Sequence, residues 1–373
     1  MNNRIICIVD KNFPPKHSFI DGMLSSVLPC NGVKTLIVSS QASSNKYIHR
    51  YIHTTCISTL LERTGFNRFL NIFVLNKLLK KLSRKTRYKN STLFVRNEPI
   101  FLLSAVLNRK RFSKIVYQQS FPHENTKNIL KRWITLFIFK ITEKYVDKVI
   151  SVSPLGVERL KTIFTKVKLF DYIPLLTNKE EIIDISSVRP ATDTIKFVYI
   201  GTHSESRQLS LILSAITEAL EQGIRDSFTF IGGSQTEIKN LVINNPLIDK
   251  YSDKITFVEK LDRDELMKTL CQHDVGLSII PPTIDYLESS PTKLVEYMSK
   301  GVALLANSEI SIQNYFVEES NGGMLIKFGK QEIINALIEL SRSIDEINVY
   351  KKNAIRYAQK KLIYDNYIHI LDY

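Results

Sequence analysis

The position of Lys293, at the start of a predicted helix, suggests that this residue binds an anion. Ser290 and Pro291 predict the N-cap and the first position of the helix, and Gly301 predicts its end. Lys293 then lies in the first turn, where the helix dipole disfavours a cation. A bound anion removes this conflict, because the backbone N–H groups of Thr292 and Lys293 lack helical partners and can bind a diphosphate together with the ammonium. The alternative is a lysine that points into solvent.

Two glutamates flank this lysine in the sequence. Glu288 precedes the predicted helix and Glu296 lies inside it, with seven residues between them. This spacing can put one carboxylate on each side of the anion site. Carboxylates repel phosphate but accept hydroxyl protons, so they suit the hydroxyl groups of a sugar.

The segment ESSPTKLVE, residues 288–296, resembles the donor-binding signature of the retaining glycosyltransferases of family 4, whose two glutamates have the spacing E-x7-E. The resemblance implies the GT-B fold, an α/β architecture in which two Rossmann-like domains with parallel sheets face each other across a cleft. It implies that Glu288 binds the hydroxyls of the donor sugar and that Glu296 binds the ribose of the nucleotide. In that scheme the donor is a UDP- or GDP-type sugar, no metal ion or further cofactor takes part, and the anomeric configuration is retained.

The turn after residues 196–200 carries the second part of the resemblance. In the family it holds an Arg and a Lys against the donor diphosphate, and here Thr202 stands at the Arg position and Arg207 at the Lys position. Gly201 permits close approach of the backbone to a ligand. The resemblance gives Arg207 and Lys293 the task of stabilising the leaving diphosphate; a solvated Arg207 at a helix start is the alternative. The donor-binding set so predicted is Gly201, Thr202, Arg207, Glu288, Ser290, Pro291, Thr292, Lys293 and Glu296.

The acceptor side is predicted from two loops. Many family members place a His after the fourth strand, where this sequence reads YQQSFPHEN over residues 117–125. Ser120 falls at that position, and we predict His123 as the polar group beside the reacting carbon; a histidine in a surface loop is the alternative. The first strand-to-helix turn lacks the usual paired glycines. Its Lys16, His17 and Ser18 are candidates for contacts to acceptor or donor phosphate.

Two further patterns resemble metal or nucleotide motifs. Asp262-Arg263-Asp264 has the D-x-D form that binds metal-bound nucleotide sugars in another glycosyltransferase fold, but it immediately precedes a helical pattern, which favours a helix N-cap. Gly232-Gly233 predicts a tight turn near the base pocket. The four cysteines share no metal-ligand spacing and are typical of reduced thiols.

Short apolar runs alternate with helical patterns along all 373 residues, which predicts parallel sheets flanked by helices. The length indicates two domains, and residues 174–194 predict a linker. We predict an acceptor-side domain over residues 1–180 and a nucleotide-sugar-binding domain over residues 190–350. A C-terminal helix at residues 355–373 is predicted to cross back onto the first domain. The predicted strands are residues 5–9, 35–38, 92–95, 114–117, 148–152, 196–200, 227–231, 255–258, 275–280 and 302–306.

The net charge of +14 is concentrated in the first half of the chain. Residues 1–189 carry 32 Lys and Arg against 12 Asp and Glu, whereas residues 190–373 carry 19 against 25. Two basic stretches, 67–89 and 109–144, interleave Lys and Arg with bulky apolar residues, which suits helices in an anionic lipid interface. Ordinary amphipathic helices that face the core are the alternative. Nucleic-acid binding is disfavoured, because no recognised motif is present.

The N-terminal apolar run is too short for a secretory signal, and no window is long enough to span a bilayer. With the resemblance, the sequence predicts a cytoplasmic enzyme, peripheral at the inner face of the cytoplasmic membrane. It would transfer a sugar from a nucleotide sugar to a lipid-linked saccharide acceptor of a bacterial surface polysaccharide. A nucleotide-sugar 2-epimerase of the same architecture is one alternative. A non-catalytic membrane- or partner-binding module with a degenerate donor site is the other.

Overall fold

The structure is a computed structural model that describes residues 4–12, 17–40, 48–50, 54–62 and 66–371, with side chains at all of these except 48–50. The chain divides into two compact units. Unit 1 comprises Met1–Leu176, Glu288–Ser290 and Tyr364–Tyr373, and unit 2 comprises Thr177–Leu287 and Pro291–Ile363. The short segment Glu288–Ser290 therefore packs with unit 1, although the chain on both sides of it belongs to unit 2.

Unit 1 is built on a sheet of eight strands in its described residues. The strands are β1 (Arg4–Asn12), β2 (Lys34–Ser40), β3 (Ile48–Arg50), β4 (Thr54–Leu60), β5 (Thr92–Arg96), β6 (Lys114–Gln118), β7 (Lys148–Ser151) and β8 (Leu169–Tyr172). Their order is β3-β4-β2-β1-β5-β6-β7-β8, and every neighbouring pair is parallel except β3 and β4. The residues from Ile5 to Val9 are at most 1% exposed, as expected for a parallel strand covered on both faces.

The helices of unit 1 lie between these strands. They are α1 (Leu28–Cys30), which continues a π-helical segment (Ile20–Val27), α2 (Asn67–Ser83), α3 (Pro99–Leu107), α4 (Ile129–Thr142) and α5 (Pro154–Ile163). Three of them begin at side-chain caps, in which Glu98, Asn128 and Ser153 accept hydrogen bonds from backbone N–H groups of the first turn. Such caps fix where a helix starts and hence where its first turn points.

Unit 2 has a six-stranded, wholly parallel sheet over residues 177–363, all of which are described. Its strands are β9 (Lys196–Ile200), β10 (Ser227–Gly233), β11 (Ile255–Glu259), β12 (Val275–Ser278), β13 (Ala303–Asn307) and β14 (Gly323–Ile326), in the order β11-β10-β9-β12-β13-β14. Its helices are α6 (Leu209–Glu221), α7 (Gln235–Asn244), α8 (Leu247–Lys250), α9 (Arg263–Leu270), α10 (Ile284–Leu287), α11 (Thr292–Ser299), α12 (Ser311–Ser320), α13 (Lys330–Arg342) and α14 (Ile344–Lys361).

Both sheets have a point where the strand order reverses direction. In unit 1 it lies between β1 and β5, and in unit 2 between β9 and β12. In doubly wound folds ligands bind beyond the carboxyl ends of the strands at such a point. Each unit therefore has one edge at which functional side chains are expected.

The end of the chain returns to unit 1. After α14, a 3₁₀-helical segment (Tyr364–Leu371) packs with the π-helical segment Ile20–Val27 of unit 1. The predicted helix over residues 355–373 was wrong in its bounds, because α14 ends at Lys361 within unit 2. The Tyr364 hydroxyl accepts a hydrogen bond from the backbone N–H of Leu176 at 3.0 Å, and its ring contacts Phe19 edge-on. Lys148 Nζ donates to the carbonyl of Ile370 at 2.6 Å. These contacts tie the C-terminal segment to β7 and to the end of unit 1.

Candidate active site

Helix α11 is held against the switch point of the unit 2 sheet by Tyr297. The hydroxyl of Tyr297 accepts a hydrogen bond from the backbone N–H of Ile200, the last residue of β9, at 2.9 Å. Its ring covers Gly276 of β12, where an added Cβ would lie 2.4 Å from the ring. Gly301 follows the helix at φ +63°, the left-handed conformation that ends it, as the sequence predicts. The start of α11 is thus fixed at the carboxyl edge of the sheet.

Lys293 is buried in the first turn of α11. Its exposed fraction is 9%, which argues against a lysine that points into solvent. The ammonium lies 4.4 Å from the ring centroid of Tyr199, and burial, followed by the charge of Arg207, lowers the pKa of Lys293 from 10.5 to about 7. Among the described residues, no carboxylate lies within ion-pair distance of Lys293, whereas Glu296 pairs with an arginine. An anion from a ligand would complete the surroundings of this ammonium.

The turn after β9 supplies the second cation. The guanidinium of Arg207 lies 4.8 Å from the ring centroid of Tyr286, which keeps it beside the loop that leads to α11. Gly201 has φ +141°, a conformation open to glycine, and a Cβ added at Gly232 would lie 2.6 Å from the carbonyl oxygen of Gly201. Thr202 is exposed and its carbonyl accepts from the Tyr199 hydroxyl at 3.3 Å. The two glycine turns therefore pack together beside the predicted diphosphate residues.

Glu296 lies in unit 2 in an ion pair that no sequence pattern predicts. Arg263 Nη1 donates to Glu296 at 3.0 Å, and Arg263 Nη2 also bonds Glu181 at 2.5 Å. Burial raises the pKa of Glu296, while the Arg263 charge opposes that rise. Asp262 caps α9 by accepting from the N–H of Glu265, so the helix-cap reading of the D-x-D segment is confirmed.

Helix α11 begins one residue later than predicted, and its cap differs. Pro291 occupies the N-cap position, Thr292 is the first helical residue, and no side chain caps the helix. The prediction of Ser290 as N-cap was wrong. Its hydroxyl accepts a hydrogen bond from the backbone N–H of Leu175 at 2.8 Å instead, which ties Ser290 to unit 1.

Glu288 belongs to a polar cluster of unit 1. Arg159 Nε donates to both of its carboxylate oxygens, at 2.8 and 2.7 Å, and Arg159 Nη1 pairs with Glu124. Gln119 donates to Glu124 at 2.9 Å and accepts from Arg159 at 3.3 Å. Ser153, the cap of α5, donates to the main-chain carbonyl of Glu288 at 2.7 Å. Both the backbone and the carboxylate of Glu288 are therefore held by α5.

A second polar cluster occupies the switch point of the unit 1 sheet. Arg96, at the end of β5, is 1% exposed and pairs with Asp10 of β1 at 2.7 Å. Its other terminal nitrogen lies 2.9 Å from His17 Nε2 and donates to the Ser120 hydroxyl at 3.2 Å. Because a guanidinium only donates, the His17 nitrogen accepts; burial, with Arg96 next, lowers the pKa of His17 to about 3. Asn97 links the cluster by donating to Asp10 and accepting from the Ser120 N–H.

The remaining acceptor-side candidates lie around this cluster. His123 begins a 3₁₀ turn after β6, is 7% exposed, and its ring centroid lies 4.2 Å from that of Phe121. It is a buried residue and not a histidine of an exposed loop. Ser18 lies beside the Tyr364 hydroxyl. Lys16 lies outside the described residues.

Solved structures of similar fold cover almost the whole chain. A sucrose-phosphate synthase from Thermosynechococcus elongatus has a TM-score of 0.78 with 16% identity, over 99% of this chain and 97% of that one. An E. coli structure named trehalose-6-phosphate, bound with UDP-2-fluoro glucose, has a TM-score of 0.73 with 14% identity, over 99% and 98%. A trehalose-6-phosphate synthase studied with bisubstrate glycomimetics of glycosyltransfer with retention has a TM-score of 0.72 with 14% identity, over 99% and 98%. The chain has the GT-B fold.

At 14–16% identity, the similarity to these structures shows the fold alone. The sequence matches no family profile and no curated protein at a significant level. In the described part of the GT-B chain, no group of His, Cys, Asp and Glu side chains is arranged to hold a metal ion. Nor does any described helix combine the length and apolar character needed to cross a bilayer.

Proposed function

We propose that the protein is a retaining glycosyltransferase of the family 4 type that transfers a sugar from a UDP- or GDP-type donor without a metal ion. One observation carries the proposal: Lys293 is buried with Arg207 as its charged neighbour and, in the described residues, without a carboxylate partner. Two cations beside a helix start form a site for a diphosphate. The GT-B neighbour bound with UDP-2-fluoro glucose supports the choice of a nucleotide sugar.

The reaction would break the anomeric C–O bond to the diphosphate and form a bond from that carbon to an acceptor hydroxyl oxygen, and the hydroxyl proton would pass to the leaving diphosphate. Negative charge then develops on the leaving diphosphate. Lys293, Arg207 and the free N–H groups of Thr292 and Lys293 would stabilise it, and preorganised charge of this kind is commonly the largest catalytic contribution. The structure named for glycosyltransfer with retention supports the stereochemistry. Glu288 and Glu296 would bind hydroxyls, and the Arg96 cluster, Ser120 and His123 would face the acceptor.

The acceptor we propose is a lipid-linked saccharide held at an anionic membrane. Helices α2 and α4 bury one face each, yet they also expose large apolar side chains: Phe69 and Phe73 on α2 are 43% and 71% exposed, and Trp133 and Phe137 on α4 are 69% and 64% exposed. A groove of about 380 Å³ runs between α2 and α4, with Phe69 and Leu130 in its walls. Exposed apolar groups of this extent among lysines and arginines suit an anionic lipid interface.

Two measurements test the proposal. A thermal-shift panel of UDP, GDP and dTDP sugars should raise the melting temperature with at least one of them, by mass action. A donor labelled in its sugar should then deliver label to a lipid extract. No thermal shift with any donor would indicate a binding module with a degenerate site, and label that stays in soluble, isomerised sugar nucleotide would indicate an epimerase.

Membrane binding is tested with vesicles of phosphatidylcholine with and without phosphatidylglycerol. We expect binding that needs phosphatidylglycerol, weakens with salt, and falls at least tenfold in Trp133→Glu. Ile243→Glu is the matched control, because Ile243 is 64% exposed on α7 of unit 2. Binding that ignores salt, or equal loss in both variants, would contradict the proposed interface.

A further inference from the structure

Each glutamate of the E-x7-E pair is bound by an arginine that a second glutamate also binds. In unit 1, Arg159 bridges Glu124 and Glu288. In unit 2, Arg263 bridges Glu181 and Glu296. Because the same Glu–Arg–Glu arrangement occurs at both glutamates, the arrangement points to a shared task at the two positions.

We propose that the two arginines are positioning residues for donor recognition, an inference that rests on the proposed function. Arg159 orients the carboxylate of Glu288 for the hydroxyls of the donor sugar. Arg263 orients the carboxylate of Glu296 for the hydroxyls of the ribose. Neither arginine touches the donor itself in this scheme, so each acts through its glutamate.

The geometry around Glu288 leaves its side chain little freedom. Arg159 Nε lies 2.8 and 2.7 Å from the two carboxylate oxygens, which fixes the carboxylate relative to α5. Ser153 holds the main-chain carbonyl of the same residue. A carboxylate that accepts hydrogen bonds from the hydroxyls of a ligand must be held in one orientation. Contacts to both its side chain and its main chain serve this purpose, because loosely held site residues bind a ligand more weakly.

The charges of the cluster decide what Glu288 can bind. Glu124 and Glu288 carry two negative charges against the single positive charge of Arg159, so the cluster keeps one net negative charge. The side chain of Glu124 is 6% exposed and that of Glu288 is 14% exposed, so Glu288 is the member more open to a ligand. A carboxylate has more acceptor positions than one N–H group uses. The cluster therefore favours neutral hydroxyls and repels phosphate.

The unit 2 cluster is more exposed and gives an internal control. The side chains of Arg263 and Glu181 are 49% and 32% exposed, so solvent screens this ion pair more strongly. Removing Arg263 should therefore have a smaller effect than removing Arg159. It should also act on the nucleotide part of the donor and not on the sugar part.

The test compares nucleotides with their sugars by calorimetric titration, using UDP, UDP-glucose, GDP and GDP-mannose. In Arg159→Gln we expect the Kd of the nucleotide to change less than twofold, while the ratio of the nucleotide-sugar Kd to the nucleotide Kd rises at least fivefold. Arg159→Lys should restore that ratio only in part, because the charge is kept but an ammonium cannot bridge both glutamates as the guanidinium does. In Arg263→Gln both Kd values should rise by the same factor, about threefold.

The outcomes separate this inference from the proposed function. If the wild-type protein binds none of the four ligands, both the proposed function and this inference are contradicted. Wild-type binding combined with an unchanged ratio in Arg159→Gln, or an equal change in both Kd values, would overturn the inference alone. If Arg159→Gln does not fold, Glu124→Gln replaces it, for which the ratio should shift at least twofold; no shift there also overturns the inference.

Discussion

The proposed donor site should lose affinity for nucleotide sugars as the pH rises through 7, because Lys293 loses its charge there. Burial and the charge of Arg207 lower its pKa from 10.5 to about 7. At 1.36 kcal/mol per pH unit, keeping the ammonium charged costs the ligand-free protein roughly 5 kcal/mol. Below about pH 7 the full cost lowers the stability of the folded protein. Between about pH 7 and 10.5 the unfolded chain holds a proton that the folded chain lacks, so stability rises with pH and the cost disappears.

The size of the effect on binding follows from the fraction of charged lysine. That fraction falls from about nine-tenths at pH 6 to about one-tenth at pH 8, so the Kd of UDP-glucose should rise about tenfold if only the charged form binds its diphosphate. Titration at pH 8 in two buffers of different ionisation enthalpy should show uptake of up to about one proton per ligand bound. UDP-glucose is the suitable probe, since its diphosphate does not titrate in this range.

Two variants check the assignment to Lys293. In Lys293→Met the pH dependence should vanish, and binding at pH 6 should weaken about tenfold or more, as expected for loss of one charge-assisted hydrogen bond. Lys239→Met is the matched control, because Lys239 is exposed on α7. A wild-type Kd that stays constant from pH 6 to 8, or a dependence that persists in Lys293→Met, would refute the reasoning.

Two further substitutions test the contacts that hold the two polar sites in place: the packing of Tyr297 against Gly276 in unit 2 and the Asp10–Arg96 ion pair in unit 1. Gly276→Ala should destabilise unit 2 by about 1–3 kcal/mol in urea unfolding and weaken donor binding, because the new Cβ would lie 2.4 Å from the ring of Tyr297, which anchors α11. Asp10→Asn should cost about 3–5 kcal/mol, because it leaves the buried guanidinium of Arg96 without its carboxylate. The double variant Asp10→Asn with Arg96→Met should be less destabilised than Asp10→Asn alone, and an equal or larger loss would contradict the ion-pair explanation.

Six of the ten predicted strands contain a run of at least three apolar residues. The run Ile5–Val9 lies inside β1, and residues 196–200 coincide with β9. The strand β4 was missed because its sequence, TTCISTL, alternates with Thr and Ser and its side chains alternate between buried and half-buried. The strands β8 and β14 were missed as well; each has four residues and lies at an edge of its sheet.

The site was predictable only where its contacts are local. The sequence signals the helix that carries Lys293 through Pro291 at its start and Gly301 at its end, but not the burial of the lysine, which depends on Tyr199 of β9. The arginine partners of the glutamates could not be predicted, because the fold brings together residues that are far apart in the sequence. Arg159 lies 129 positions from Glu288, and Arg263 lies 33 positions from Glu296. No local pattern can indicate which of 51 Lys and Arg residues will reach a given carboxylate.

The segment 288–296 carries two glutamates and one buried lysine, and the glutamates have partners of a different kind from those of the lysine. Both Glu288 and Glu296 receive an arginine, whereas Lys293, within the described chain, receives an aromatic ring and no carboxylate. If either glutamate paired with Lys293, the lysine's charge would be satisfied inside the protein and a diphosphate would gain little there. Because the arginines hold the acids instead, the lysine's charge stays available to an external anion, and the acids stay available to hydroxyls. A nucleotide sugar carries both kinds of group, so this division of partners supports the proposed recognition of a nucleotide sugar.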